Sequence, residues 1–450
     1  MAVPPGTSPT ATTTMSSTTS WGRVSRAASH VREPAYLDEL RAAFEAGGGS
    51  ALAHGLGRSY GDVCLNGGGH LLRTGRLDRV IAADWAGGVV RAEAGLTIGG
   101  LLALCVPRGW FVPVTPGTKF VTLGGAVAND VHGKNHHGAG TFGCHVRALG
   151  LLRSDGGIVE IGPDRRPHLF AATVGGLGLT GMIVWVELQL LAVRTSEFET
   201  ETLRLRDLDG FFRTAEESLD WPYTVAWVDC LATGRSLGRG LFNRARHAAD
   251  GPLLPHATRA RAKVPLDAPS ALLGPTTVRL FNAAYSRQPA GRGVRRVAYD
   301  KFLYPLDGIT DWNRLYGGNG FFQHQSVVPS AAAARTLGRL LELTSSEGQG
   351  SFLVVLKMFG PRASPGILSF PQEGATFALD LPNRGAVTRR LLDRMGELVL
   401  EAGGRLYPAK DATMSGRQFR AGFPRWREVE SYRDPAISSD FWRRVTGDAA

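Results

Sequence analysis

Two stretches of this 450-residue chain have the composition of an anion cradle. AHGLGRSYGD at 53–62 and PGTKFVTLGGA at 116–126 crowd glycines together with small hydroxyl residues. Such runs let backbone N–H groups converge on a phosphate with no Cβ in the way, and Ser59, Thr118 and Thr122 add hydroxyl donors. Taken singly, each loop also reads as a pair of tight turns. Taken together they suit a diphosphate, with Gly55, Gly57, Arg58, Gly124 and Gly125 forming the cradle. Just downstream, NDVHGKNHH at 129–137 gathers His132, His136 and His137. Histidines in such numbers invite a metal reading, but no carboxylate or cysteine arrangement completes a site, so no metal is expected. A third run, GLGLTG at 176–181, satisfies GxGxxG literally, yet the MIVWVELQL that follows reads as a strand. The dinucleotide fingerprint needs a helix N-terminus there, so a Rossmann domain is excluded. Lys357 is the sole charge in FLVVLKMF at 352–359. An unpaired ammonium buried in a sheet is costly, so either a phosphate or sugar oxygen compensates it or the side chain snorkels from an edge.

The elements that must position these residues follow from periodicity. Leu37, Leu40 and Phe44 predict a helix over 36–46, stopped by three glycines, and a second helix is predicted near 98–107. Short β-like runs at 89–94 and 158–161 alternate with glycine-rich turns, which is α+β patterning and not βαβ repetition. From about 194 to 409, strands near 223–229, 321–329, 352–359 and 375–381, with helices at 331–345 and 385–402, predict an antiparallel sheet covered by helices on one face. This second region would cap the first as a substrate domain. The length suits two domains, and 43% hydrophobic with 20% charged residues excludes bulk disorder, a coiled coil or a multi-span membrane protein.

The first 20 residues are rich in Ser, Thr and Pro without an apolar core, so they read as a disordered tail and not a signal peptide. Cys64, Cys105, Cys144 and Cys230 show no CxxC spacing, which suits a reducing compartment. The apolar stretch 173–193 is interrupted by glycines and falls short of a spanning helix. Between 231 and 301 there are 13 basic and 3 acidic residues, nearly the whole of the formal +11, in a segment full of Pro and Gly. It reads as a loop-rich basic insertion, either a solvated surface or a seat for an anionic membrane or phosphorylated lipid. Nucleic acid ranks last and is not expected, because aromatic stacking residues are sparse there.

The runs GRSYGD, PVTPGTKFVTLGGAVANDVHGKNHHGAGTFGCHV and ATVGGLGLTG together resemble the FAD-binding domain of the vanillyl-alcohol oxidase superfamily. Within it, WNRLYG, FFQHQSVVP, FLVVLKMFGP and GGRLYPAKD extend the resemblance to the decaprenylphosphoryl-β-D-ribose oxidases, from about Trp21 to the C-terminal region. The resemblance implies an α+β, two-domain FAD-binding fold: FAD domain at 21–193, substrate domain at 194–409 with the insertion at 231–301, and a return to the FAD domain at 410–450. It implies FAD contacts at Ala53, Gly55, Leu56, Gly57, Arg58, Ser59, Tyr60, Pro116, Gly117, Thr118, Thr122, Gly124, Gly125, Asn129, His132, Gly133, Gly178, Gly181, Ile183 and Tyr407. Several superfamily members carry, near the position of Tyr60, a histidine bonded to the flavin; tyrosine there implies noncovalent FAD.

The implied reaction is oxidation of a ribose 2′-hydroxyl, the first half of an epimerisation to the arabinose donor of cell-wall synthesis. Lys410 is implied as the proton acceptor, with His132 and Lys357 as further catalytic residues. Lys134, Trp227, Tyr316, Gln323, Gln325, Lys357, Ala378 and Lys410 are implied to line the substrate pocket. Ala378 stands where mycobacterial members have a cysteine, which changes pocket size and polarity and removes the thiol that covalent inhibitors capture. Implied partners are a polyprenyl-phosphate lipid substrate and a separate nicotinamide-dependent keto-sugar reductase, with peripheral membrane contact. The implied location is the cytoplasm or the cell envelope. The alternatives are an FAD-dependent oxidation of a soluble sugar or glycoside, and a flavin-binding subunit without catalysis.

Overall fold

The computed structural model describes residues 14–255, 262–269 and 273–447. The N-terminal part is built on two sheets. Strands β1 (Thr14–Thr19), β2 (Arg26–Arg32), β3 (Ala51–His54) and β4 (His70–Arg73) form the first, in the order β1-β2-β4-β3. Helix α1 (Leu37–Glu45) buries Leu40, Ala43 and Phe44 against it. The expectation of a disordered tail through residue 20 is therefore corrected at 14–19: this run pairs antiparallel with β2 along its whole length, from Thr14 opposite Val31 to Thr19 opposite Arg26. Its β-branched threonines suit an edge strand better than a tail. Residues 1–13 lie outside the described residues.

The second sheet is antiparallel, with β5 (Val80–Asp84), β6 (Val89–Glu93), β7 (Val146–Leu152), β8 (Ile158–Ile161) and β9 (Met182–Gln189) in the order β5-β6-β9-β7-β8. Helices α2 (Ile98–Cys105) and α3 (Leu123–Ala128) share its core. Thr97 and Thr122 cap them, each hydroxyl accepting from the N–H three residues on at 2.9 and 3.1 Å, and the two caps face each other in a β-bridge. The GLGLTG run is a turn leading directly into β9, with Gly178 at φ +77° where only glycine is unstrained. Among the described residues no helix is long and apolar enough to cross a membrane.

The remaining chain builds one eight-stranded sheet. Its strands are β10 (Glu197–Leu205), β11 (Tyr223–Val228), β12 (Gly240–His247), β13 (Arg295–Ala298), β14 (Phe321–Pro329), β15 (Val354–Phe359), β16 (Gly374–Pro382) and β17 (Arg405–Leu406). They lie in the order β13-β10-β12-β11-β15-β16-β14-β17. Period-two alternation divides its residues. Phe322, Val328, Val354, Leu356, Phe377 and Leu379 join a core under α4 (Leu208–Glu216), α6 (Ser330–Ser346) and α7 (Ala386–Glu401), while the intervening residues turn to the opposite face. Helix α5 (Pro275–Tyr285) precedes β13 in the chain. The reading of 231–301 as a loop-rich insertion is corrected here, since β12 lies inside the sheet between β10 and β11 and α5 is eleven residues long.

The chain then crosses back. Three short helices, α8 (Gly416–Gly422), α9 (Trp426–Tyr432) and α10 (Asp440–Thr446), put Phe419, Phe441 and Trp442 into the core shared by Leu40, Leu52 and Leu71 of the first sheet.

Candidate active site

A cavity of about 800 Å³ lies between the N-terminal sheets and the free face of the eight-stranded sheet. One wall is made of the two glycine loops and the turn at Gly178 and Gly181; the other is made of alternate residues of β11, β14, β15 and β16. Because side chains on a strand repeat every second position, Val225 and Trp227, Gln323 and Gln325, Val355 and Lys357, Thr376 and Ala378 all face it. The loops interlock tightly: a Cβ on Gly55 would stand 2.6 Å from Thr122 Oγ1. At Gly117 and Gly178 a Cβ would meet nothing within 4 Å, so backbone there borders open space. Among the described residues no protein group accepts from the N–H groups of Gly55, Leu56, Gly57, Arg58 or Ser59, which leaves a row of donors facing the cavity. Arg58 crosses the loop with its guanidinium 4.1 Å from the centroid of the Trp21 ring, and its Nε donates to the carbonyl of Phe120 at 3.3 Å.

The other end of the cavity is cationic. Lys134, Lys357 and Lys410 all line it. Burial, then the charge of Lys357, brings Lys134 down to about 7, and its Nζ donates to the carbonyls of Phe302 and Leu303. Burial, then the charge of Lys410, brings Lys357 down to about 7. Lys410 is pulled down by burial to about 8, with the carboxylate of Asp380 opposing the shift, and its ammonium sits 3.8 Å from the centroid of the Tyr60 ring. Asp380 is fully buried, and burial pushes its carboxyl well above the usual range. It accepts from Gln323 Nε2 and, at 3.4 Å, from the Tyr316 hydroxyl. His132 accepts at Nε2 from Gln325 Nε2 at 3.0 Å, so its proton belongs on Nδ1, a buried atom with no partner among the described residues. Burial and the charges of Lys357, His136 and Lys410 keep the ring neutral.

All twenty positions expected to contact the cofactor line the cavity, and so do Lys134, Trp227, Gln323, Gln325, Lys357, Ala378 and Lys410. Tyr316 does not, and its expected place in the pocket wall is corrected. Its ring is buried in a stack between Phe321 and Phe352, with centroids 4.1 and 5.4 Å away, and only its hydroxyl acts on the site, through Asp380. Asp380 is the functional residue that sequence reasoning missed. The signal was present in the alternation Thr376, Ala378, Asp380, which assigns the carboxylate to the same face as the pocket residues.

Residues 28–162 match the family model of an FAD binding domain. The chain is 35% identical over 429 residues to the decaprenylphosphoryl-β-D-ribose oxidase of Mycolicibacterium smegmatis, covering 90% of each chain. The chain belongs to the decaprenylphosphoryl-β-D-ribose oxidase family. Like that family it is an FAD-dependent oxidoreductase, built on a two-domain α+β FAD-binding fold. An uncharacterized protein of Streptomyces coelicolor is also 35% identical, over 369 residues that make up 78% of this chain and all of that protein. The human Δ24-sterol reductase is similar over a shorter stretch, 28% identical across 115 residues, 26% of this chain and 22% of that one. For a member of the oxidase family the cavity fits its cofactor on three counts. The unpartnered loop N–H groups suit a diphosphate, the open backbone at Gly117 and Gly178 admits close approach, and the orphaned His132 Nδ1 and Asn129 Oδ1 offer one donor and one acceptor to a polar ring edge.

Proposed function

We propose that this enzyme oxidises the 2′-hydroxyl of a polyprenyl-phosphoryl-β-D-ribose to the 2′-keto sugar, using noncovalent FAD. The observation that carries the reading is the grouping of Lys134, Lys357 and Lys410 on the cavity wall, with the buried Asp380 carboxylate acting on Lys410. Three clustered lysines suit an anionic substrate whose oxidation releases a proton. FAD, when bound, supplies the two-electron acceptance that no side chain here can provide. The first glycine loop with Arg58, and the second with Thr118 and Thr122, would hold its diphosphate; Asn129, His132 and Tyr407 would hold its ring.

Lys410 takes the hydroxyl proton. Its lowered pKa makes the neutral amine accessible near neutral pH, where an ordinary lysine is wholly charged. As its ammonium forms, the Asp380 carboxylate stabilises it, and Tyr316 and Gln323 keep that carboxylate in place. Lys357, which no carboxylate pairs among the described residues, binds a phosphate or sugar oxygen, and the substrate's charge in turn favours its protonated form. His132, oriented by Gln325, presents Nδ1–H to the reacting region. Trp227 supplies an apolar wall, and Ala378 leaves more room than a cysteine. The keto sugar is then a substrate for a separate nicotinamide-dependent reductase.

The test is the visible spectrum of the anaerobic holoenzyme before and after adding a short-chain prenyl-phosphoryl ribose. Bleaching of the oxidised-flavin band is expected, and acid precipitation should leave all the flavin in the supernatant. A band that survives this substrate but bleaches with a free sugar would replace the lipid-linked reading with a soluble one.

A further inference from the structure

Helix α5 has two unlike faces. Inward, Val278 packs beside Gly350 and Leu231, and Asn282 Nδ2 donates to Asp229 Oδ1 at 2.9 Å and to the Ser351 carbonyl at 3.3 Å. Arg204 of β10 binds the carbonyls of Ser286 and Gln288 just past its C-terminus, which anchors the helix end and complements its dipole. Outward, Leu280 is 72% exposed and Phe281 42% exposed, adjacent large apolar side chains left in water on an anchored helix. The surrounding sequence is cationic: from Pro275 to Val297 there are five arginines and no carboxylate; Arg296 pairs with Asp250 at 2.7 Å, while Arg279 and Arg287 flank the apolar pair on the helix and its C-terminal edge.

The outer face is also joined to the active cavity. The Phe281 ring stacks on Tyr285 with centroids 5.6 Å apart and planes 22° from parallel; Tyr285 in turn lies 4.6 Å from Trp227. Tyr285 and Trp227 both line the cavity. An aromatic path therefore leads from an exposed apolar helix face to the cavity wall, with arginines at its outer end.

We infer that the Leu280–Phe281 face of α5, ringed by Arg279 and Arg287, seats the enzyme on a bilayer rich in anionic phospholipid, and that Phe281, Tyr285 and Trp227 form the apolar side of the passage to the cavity. The seat stands on charge and apolar exposure alone; the use of the passage by a lipid tail rests on the polyprenyl reading above. Anionic headgroups fit Arg279 and Arg287 beside the apolar pair, and the paired Leu and Phe fit the headgroup–acyl boundary, where apolar side chains enter and basic ones remain at the phosphates. A second copy of the chain suits this face poorly, since each copy would bring the same arginines to the interface.

The test uses holoenzyme and vesicles of phosphatidylcholine alone or mixed with an equal part of phosphatidylglycerol. The wild type is expected to sediment with the mixed vesicles, to be released by salt, and to ignore pure phosphatidylcholine. The variant L280S/F281S and, separately, R279E/R287E should each weaken vesicle binding at least tenfold with flavin content unchanged, and R279E/R287E should also leave turnover of a short-chain prenyl-phosphoryl ribose unchanged. F281W, which keeps the ring, should show a blue shift of emission on adding mixed vesicles. Absence of wild-type binding, equal binding by both variants, or a wild-type dimer that L280S/F281S dissociates would each overturn the proposal. Failure of the ribose substrate to bleach the flavin would overturn the functional reading instead and leave the vesicle result standing.

Discussion

In the proposed mechanism the chemistry turns on Lys410 and Asp380. Both are enclosed, and the low dielectric that lowers the lysine raises the acid, so their charges depend on one another. If neutral Lys410 is the base, the rate of flavin reduction by substrate rises with pH and levels off above about 8. Lys410→Met should lower that rate by about 10²–10⁴-fold with flavin content intact. Asp380→Asn removes the carboxylate that holds the lysine's pKa up, so the limb of the profile should move to lower pH while the plateau falls; stopped-flow reduction across pH reads both. Lys357 makes a different prediction. Its pKa drops from 10.5 unfolded to about 7 folded, so between those values the unfolded chain binds more protons and stability rises with pH. The burial penalty is fully present below about 7 and gone above 10.5. Lys357→Met should therefore melt roughly 2–6 °C higher than the parent near pH 7 in phosphate-free buffer, with the margin shrinking toward pH 10. Lys357 was legible because it is the one charge in an apolar strand. Asp380 was not singled out, although it alternates with Thr376 and Ala378 along the same strand.

At the scale of elements, the cradle depends on two loops that were readable as glycine runs and on a helix that was not. Helix α3 is only six residues, LGGAVA, with two glycines that lower intrinsic helicity; it exists because Thr122 caps it and the β6–α2 corner accepts its first N–H groups, Leu123 to the Leu96 carbonyl and Gly124 to that of Ala94. Strand β12 was hidden for the opposite reason. Its Arg244 and Arg246 read as solvated loop, whereas register places them opposite Glu201 and Glu199, with ion pairs at 2.6 and 2.9 Å. Strand β14, by contrast, was legible to its terminal residues, 321–329, because its apolar run is bounded by Gly320 on one side and by Pro329 on the other. The loop interlock gives a test with built-in rescue. Gly55→Ala places a methyl 2.6 Å from Thr122 Oγ1 and should strip flavin from the enzyme. Thr122→Ala loses the cap, about 1 kcal/mol, and weakens flavin retention modestly. The double variant should recover flavin relative to Gly55→Ala, since the nearest remaining Thr122 atom, Cβ at 3.5 Å, is in ordinary contact; flavin per protein after gel filtration reads the series.

For the whole molecule, the consequence of the chain's return is that the last helix braces both halves of the site. Arg444 of α10 donates from Nε and Nη2 to the two oxygens of Asp62, each at 2.8 Å, and from Nη2 to Asp411 at 3.0 Å. Asp62 ends the first glycine loop and Asp411 follows Lys410, so one guanidinium ties that loop to the segment that carries the proposed base. The short helices supplying it have no periodicity long enough to stand out in sequence; they are stable because Phe419, Phe441 and Trp442 enter a core begun 400 residues earlier. Arg444→Leu would leave two buried carboxylates without their cation, a change of about 3–5 kcal/mol for a broken buried pair. Burial already raises Asp411, and without Arg444 it should rise further and take up a proton as the pH falls. The melting-temperature loss should therefore be largest near neutral pH and smaller at pH 5, and calorimetry of the holoenzyme at both values, with flavin release followed in parallel, reads it. An equal loss at both values would mean that Arg444 acts by packing against Phe441, 5.2 Å from its guanidinium, and not by charge.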